Sequence, residues 1–180
     1  MNLWGLILKC AGWKVDITIP FRNKAVICVA PHTSNWDFIM GLLAYRSLGR
    51  KANFLMKKFW FFFPLKYILK ALGGIPVNTE SSQSLTSLII DDFNKAEYLN
   101  LAVTPEGSRS PVDKWRTGFL TIAFHANVPI QLGVIDFKNK LVLIKKEFVP
   151  TGDNAKDLVE IRKYYSHFKE AALYPDKFIA

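Results

Sequence analysis

The stretch AVICVAPHTSNWDF, residues 25–38, decides the fold. Six apolar residues with β-branched members stop at Pro31, as in a short strand buried on both faces. Small polar residues follow, and Ser34-Asn35-Trp36-Asp37 fits the serine-x-x-acid pattern that opens a helix. Phe38, Ile39, Leu42, Leu43 and Tyr45 then recur close to helical spacing.

The same alternation runs outward through the chain. ANFLM (residues 52–56) and IPV (75–77) read as further strands, residues 84–99 as a helix and LAVT (101–104) as a strand ending at Pro105. A helix is predicted over 117–126. PIQLGVIDF and LVLIKKEF read as two strands joined across Lys138–Lys140, a hairpin. Leu158, Ile161, Tyr165, Phe168 and Ala172 form one stripe, predicting a surface helix over 157–173. No repeat, low-complexity tract or linker interrupts the pattern. The expectation is a single α/β domain over residues 1–180, with a mostly parallel central sheet flanked by helices and some antiparallel edge strands.

Composition narrows the partners. The chain of 180 residues is long enough for a real core, and 50% hydrophobic content excludes disorder. Cys10 and Cys28 stand far apart in apolar surroundings, matching neither a disulfide framework nor a metal motif, so a reducing compartment is expected. No stretch reaches the roughly 18 charge-free apolar residues of a membrane-spanning helix. A net charge of +9 favours anionic partners. The basic and aromatic residues concentrate in FLMKKFWFFFPLKYILK, residues 54–70, where five aromatics lie between Lys57–Lys58 and Lys66–Lys70 and Pro64 interrupts any helix. Aromatic bodies beside long lysines suit a lipid boundary, although a core helix with exposed lysines has the same composition. Residues 1–15, with Trp4 and Trp13 near Lys9 and Lys14, form a second interfacial candidate. The expected location is peripheral, on the cytoplasmic face of the cell membrane. Nucleic acid is not an expected partner, since no aromatic ribonucleoprotein signature, zinc-finger spacing or arginine-rich run is present.

Ligands of such sheets bind beyond the carboxyl ends of the strands, where this chain places PHTSNWD and TPEGSRS. His32 followed at five positions by Asp37 can be a loop histidine beside a capping acid. It can equally be a general base held in its basic tautomer by a carboxylate, and one acid can serve both ends. The serine-elbow pattern is absent and neither cysteine has a histidine nearby in sequence, so the substrate is expected to bring the nucleophile. In the second segment Gly107 permits close backbone approach, Arg109 offers a planar fork for phosphate or carboxylate, and Glu106 can fix Arg109 or a neighbouring loop in place. Backbone N–H groups here or at the helix start are candidates for holding an oxyanion. His32, His125 and His167 lack ligand spacing, so no metal is expected, and His125 reads as structural.

Together these segments resemble the glycerolipid acyltransferase family, which includes bacterial 1-acylglycerol-3-phosphate acyltransferases. The family's H-x4-D block matches His32 and Asp37. Its P-E-G-T-R-S block matches Pro105 to Ser110, with Ser108 for threonine. Its G-x-I block is partly matched by Gly74 to Thr79, and its V-P-I run by Val128-Pro129-Ile130.

The resemblance implies acyl transfer from acyl carrier protein or coenzyme A thioesters to a lyso-lipid hydroxyl, without a cofactor. It implies His32 as base and Asp37 as its orienter, with Glu106, Gly107, Ser108 and Arg109 at the acceptor. One departure stands out. Where phosphate-acceptor members carry an arginine, this chain reads Asn78-Thr79-Glu80. Lys57, Lys58, Lys66, or Lys114 with Arg116 must then take the phosphate, or Asn78 and Thr79 mark a different acceptor, such as an amino-acid-containing lyso-lipid. A lipid hydrolase or transacylase and a non-catalytic lipid-binding protein are the remaining alternatives.

Overall fold

A computed structural model describes residues 2–77 and 82–180, and side chains outside 82–84. The elements in chain order are α1 (Leu3–Cys10), β1 (Lys14–Ile17), β2 (Lys24–Val29), α2 (Asn35–Ser47), β3 (Asn53–Lys57), α3 (Leu65–Leu72), β4 (Gly74–Val77), α4 (Ser82–Lys95), β5 (Leu99–Val103), α5 (Gly118–His125), β6 (Ile130–Asp136), β7 (Leu141–Phe148) and α6 (Asn154–Ser166). The seven strands form one sheet in the order β1-β7-β6-β2-β5-β3-β4. The five from β6 to β4 are parallel, while β7 pairs antiparallel with β6 and carries β1 at its outer edge.

The expected α/β fold with its antiparallel edge is therefore present, and the differences are local. Residues 14–17, read with the terminal segment, form an edge strand against residues 141–144. Pro64 does not interrupt a helix; it precedes α3, and a 3-10 turn over Lys58–Trp60 fills the space before it. The final helix stops at Ser166, short of the predicted 173. The chain then turns so that the Ala171 carbonyl accepts the Phe137 N–H beyond β6. A backbone donor at the sheet end outweighs continuation of the apolar stripe.

The two faces of the sheet are filled differently. Helices α4, α5 and α6 cover the main core, in which Val26, Leu101, Ile130 and Leu132 from the strands meet Ile89, Phe93, Phe119, Leu120 and Ile161. Full burial of such a side chain contributes about 1.5–3 kcal/mol, so this face carries most of the stability. On the opposite face α2 lies over Ile27, Ile135, Val142 and Ile144 in two smaller clusters, with Leu8 of α1 packed into one of them. Right-handed crossover connections put α3 on this same face. Arg46 of α2 ties to the end of α3 by donating to the Ala71 carbonyl at 3.0 Å.

This layout positions the site. β2 and β5 are neighbours, yet the chain leaves β2 for α2 on one face and β5 for α5 on the other. Their carboxyl ends diverge and open a crevice, as expected at such a switch point.

Candidate active site

The loop after β2 delivers His32 to this crevice, and the first turn of α2 returns Asp37 to meet it. His32 Nδ1 lies 3.1 Å from Asp37 Oδ2, with the imidazole 16% exposed and the carboxylate 2%. The same Oδ2 accepts the N–H groups of Thr33 at 2.9 Å and Ser34 at 2.8 Å. The Ser34 hydroxyl accepts the Trp36 N–H at 3.2 Å, completing a capping box. Capping and histidine orientation thus share a single carboxylate oxygen. A carboxylate accepts and does not donate, so the shared proton sits on Nδ1 and Nε2 is the basic nitrogen.

The second loop supports the first from behind. Glu106 is buried, and its Oε1 accepts the His32 N–H at 2.7 Å. Burial pushes the Glu106 carboxyl up to about 8, opposed by that hydrogen bond and reinforced by the charge of Asp37. Near neutral pH it is therefore largely protonated, and the negative charge beside His32 is concentrated on Asp37. Gly107 takes the left-handed conformation, at φ +63°, in the turn where its N–H meets the Thr104 carbonyl. The Ser108 hydroxyl caps its own loop by accepting the Ser110 N–H. Arg109 reaches across to donate to the Asn35 side chain, joining the loop to the start of α2.

A cavity of about 860 Å³ begins at these residues. His32, Asn35, Asp37, Thr104, Pro105 and Arg116 line its mouth, and it straddles the carboxyl edge of the sheet. One part runs beneath α2, past Gly41, Leu42 and Tyr45 and over Ile27, Ala102, Gly133 and Ile144; another reaches Leu85, Phe119 and Ile122 on the opposite face. Small residues make the room: Gly41, Ala102 and Gly133 leave it between α2 and the sheet. The size falls within the usual range for small-molecule sites, and the lining is mainly apolar.

Several sequence expectations can now be placed. His32, Asp37, Glu106, Gly107, Ser108 and Arg109 come together. Lys57 and Lys58 lie at the same sheet edge, beyond β5, but neither lines the cavity. Asn78 and Thr79 lie outside the described residues. The N–H groups at 32, 33, 34 and 36 all have protein acceptors, so the helix start offers none of them to an oxyanion. Among the described residues, no group of three or more His, Cys, Asp or Glu side chains could hold a metal ion. His125 ends α5 with its ring against Phe124.

Two contributors escaped the sequence reading. Asn35 both lines the cavity and holds Arg109. Tyr174, far down the chain, donates its N–H to Thr33 Oγ1 at 3.3 Å and braces the loop that carries His32. Asn35 sits inside a motif already recognised, whereas nothing local marks Tyr174.

A family model described as Acyltransferase matches residues 14–134, which includes both loops, the five strands β1 to β5 and most of β6. The chain belongs to the Acyltransferase family. No curated protein and no solved structure matches it. The matched region of this acyltransferase holds every residue of the His32–Asp37–Glu106 cluster, while α6 and the Tyr174 brace lie beyond it.

Proposed function

We propose that this acyltransferase moves a fatty acyl group from an acyl carrier protein or coenzyme A thioester to the hydroxyl of a lyso-lipid such as lysophosphatidic acid, in phospholipid biosynthesis. The His32–Asp37 pair at the mouth of a large apolar cavity carries the reading. Nε2 of His32 takes the proton of the acceptor hydroxyl as its oxygen attacks the thioester carbonyl. The tetrahedral intermediate then collapses with cleavage of the C–S bond, and the imidazolium returns the proton to the departing sulfur. No covalent enzyme intermediate is needed. Cys28 is fully buried, which pushes its thiol well up, and the Ser34 and Thr33 hydroxyls are tied into the loop by accepting backbone N–H groups. The apolar cavity is assigned to acyl chains, and the protein to the cytoplasmic surface of an anionic membrane as a peripheral, monotopic enzyme. No helix among the described residues is long and apolar enough to cross a membrane.

The sequence Asn78-Thr79-Glu80, in place of an arginine, favours a second reading in which the acceptor is a lyso-lipid without a phosphomonoester. Thiol release separates the two. Acyl-coenzyme A and acyl carrier protein donors are offered with lysophosphatidic acid or other lyso-lipids, using wild type and His32→Ala. Release that needs lysophosphatidic acid and falls about 10²–10⁴-fold in folded His32→Ala supports the first reading. Turnover only with another lyso-lipid selects the second. Full activity in His32→Ala overturns the mechanism, and fatty acid released without an acceptor identifies a hydrolase.

A further inference from the structure

We propose that Arg116 binds the phosphate of the acceptor, supplying the cation that the second sequence block lacks, and that Gly107 carries no side chain so that Arg116 can reach the cavity mouth. This rests on the acyl-transfer reading above. Of the cations named above, Arg109 lends one donor to Asn35, Lys66 lies over the Tyr67 ring at 5.0 Å, and neither these two nor Lys57, Lys58 and Lys114 line the cavity. Arg116 does line it, together with His32. Its side chain has no hydrogen-bond or ion-pair partner among the described residues, so the five N–H donors of its guanidinium are unspent.

The arginine is nevertheless held in place. Its N–H donates to the Pro105 carbonyl at 2.7 Å. The preceding Trp115 is buried, its ring beside Phe178 and its Nε1 bonded to the Ile179 carbonyl at 3.1 Å. The side chain then crosses Gly107 so closely that a Cβ there would lie 2.5 Å from Arg116 Nε and 2.9 Å from Cδ. A planar fork fixed at its root and free at its tip suits two-point binding of a phosphate.

Chemistry selects the acceptor over the donor as the owner of that phosphate. In a lysophosphatidic acid the reacting hydroxyl is on the carbon next to the one bearing the phosphate. Once His32 holds the hydroxyl, the phosphate must lie at the same mouth. A thioester donor carries its phosphates at the far end of a long pantetheine arm, remote from the reacting carbonyl.

The test compares wild type, Arg116→Gln and Arg116→Lys with lysophosphatidic acid and with the monoacylglycerol of the same chain. It measures direct binding below the micellar concentration and the steady-state constants. Arg116→Gln is expected to weaken lysophosphatidic acid binding and raise its KM about 10- to 100-fold, the worth of charge-assisted hydrogen bonds. kcat, the donor KM and monoacylglycerol binding should stay within about 2-fold of wild type, and Arg116→Lys should recover part of the loss. Unchanged lysophosphatidic acid binding overturns the assignment, as does an equal loss for both lipids or a rise in the donor KM instead. If wild type turns over no lyso-lipid, the acyl-transfer reading falls, and the binding comparison still decides Arg116 by itself.

Discussion

At the residue scale the site depends on one oxygen, Asp37 Oδ2, which takes two backbone N–H groups and the His32 ring. The pair was legible because strand, loop and helix start lie within a few residues and their chemistry is local. The Glu106 contact was legible only in outline, since it spans 74 positions and depends on which strands are neighbours. Glu106 also yields a pH prediction. Its carboxyl titrates near 8 in the folded chain and near its ordinary value of 4.5 when unfolded. Between those values the folded state binds more protons, so this group lowers stability as pH rises from about 4.5 to 8. Glu106→Gln, which keeps an acceptor for the His32 N–H, should remove that part of the slope. Denaturant midpoints measured across the window, wild type against variant, check it; parallel profiles would mean that Glu106 ionises normally.

At the element scale α2 does two jobs: its first turn orients His32 and its inner face roofs the cavity. Ten residues separate Asn35 from Tyr45, about 15 Å of helix at 1.5 Å per residue. Gly41 sits partway along, and a Cβ there would meet only Ile135 Cδ1, at an ordinary 3.5 Å. Gly41→Leu should therefore fit the helix, which gains about 1 kcal/mol of intrinsic propensity, while filling the cavity midway. The expected outcome is a shift of turnover toward shorter acyl donors with undiminished thermal stability, read from a series of thioesters of increasing length. An unchanged length profile would place the chain elsewhere. The sequence marked this helix but not its roof, because the apolar residues at helical spacing do not reveal that small residues opposite leave a void. Nor did it reveal β1 or the early end of α6, both fixed by partners more than a hundred or some thirty residues away.

At the scale of the whole molecule, exposed apolar residues are unevenly distributed. Leu3, Leu6 and Ile7 of α1, Trp36 and Ile39 of α2, and the run from Phe59 to Ile68 lie on or beside the helices of the α2 face. Among the described side chains, helices α4, α5 and α6 each expose a single large apolar one by comparison, Leu88, Phe124 and Val159. Phe59 is 80% exposed and Phe63 75%, with Lys57, Lys58, Lys66 and Lys70 beside them in sequence. Aromatics that stand in water beside lysines fit an anionic lipid surface. At about 1 kcal/mol per lysine near such a surface, replacing all four by Gln should lower partitioning by about two to three orders of magnitude. Cosedimentation with phosphatidylserine-containing vesicles at several salt concentrations measures this, and equal binding by the variant would remove the lysines from the interface.

The outermost strand carries one more consequence, which concerns time. Among the described residues β1 pairs only with β7, Lys14 opposite Leu141 through Ile17 opposite Ile144. A ribosome adding about 5–20 residues per second needs roughly 6–25 s to pass from one strand to the other. For most of that interval α1 stands outside the ribosome while the sheet edge that receives β1 does not yet exist. The nascent chain thus carries α1, with Leu3, Leu6 and Ile7, well before the domain can close.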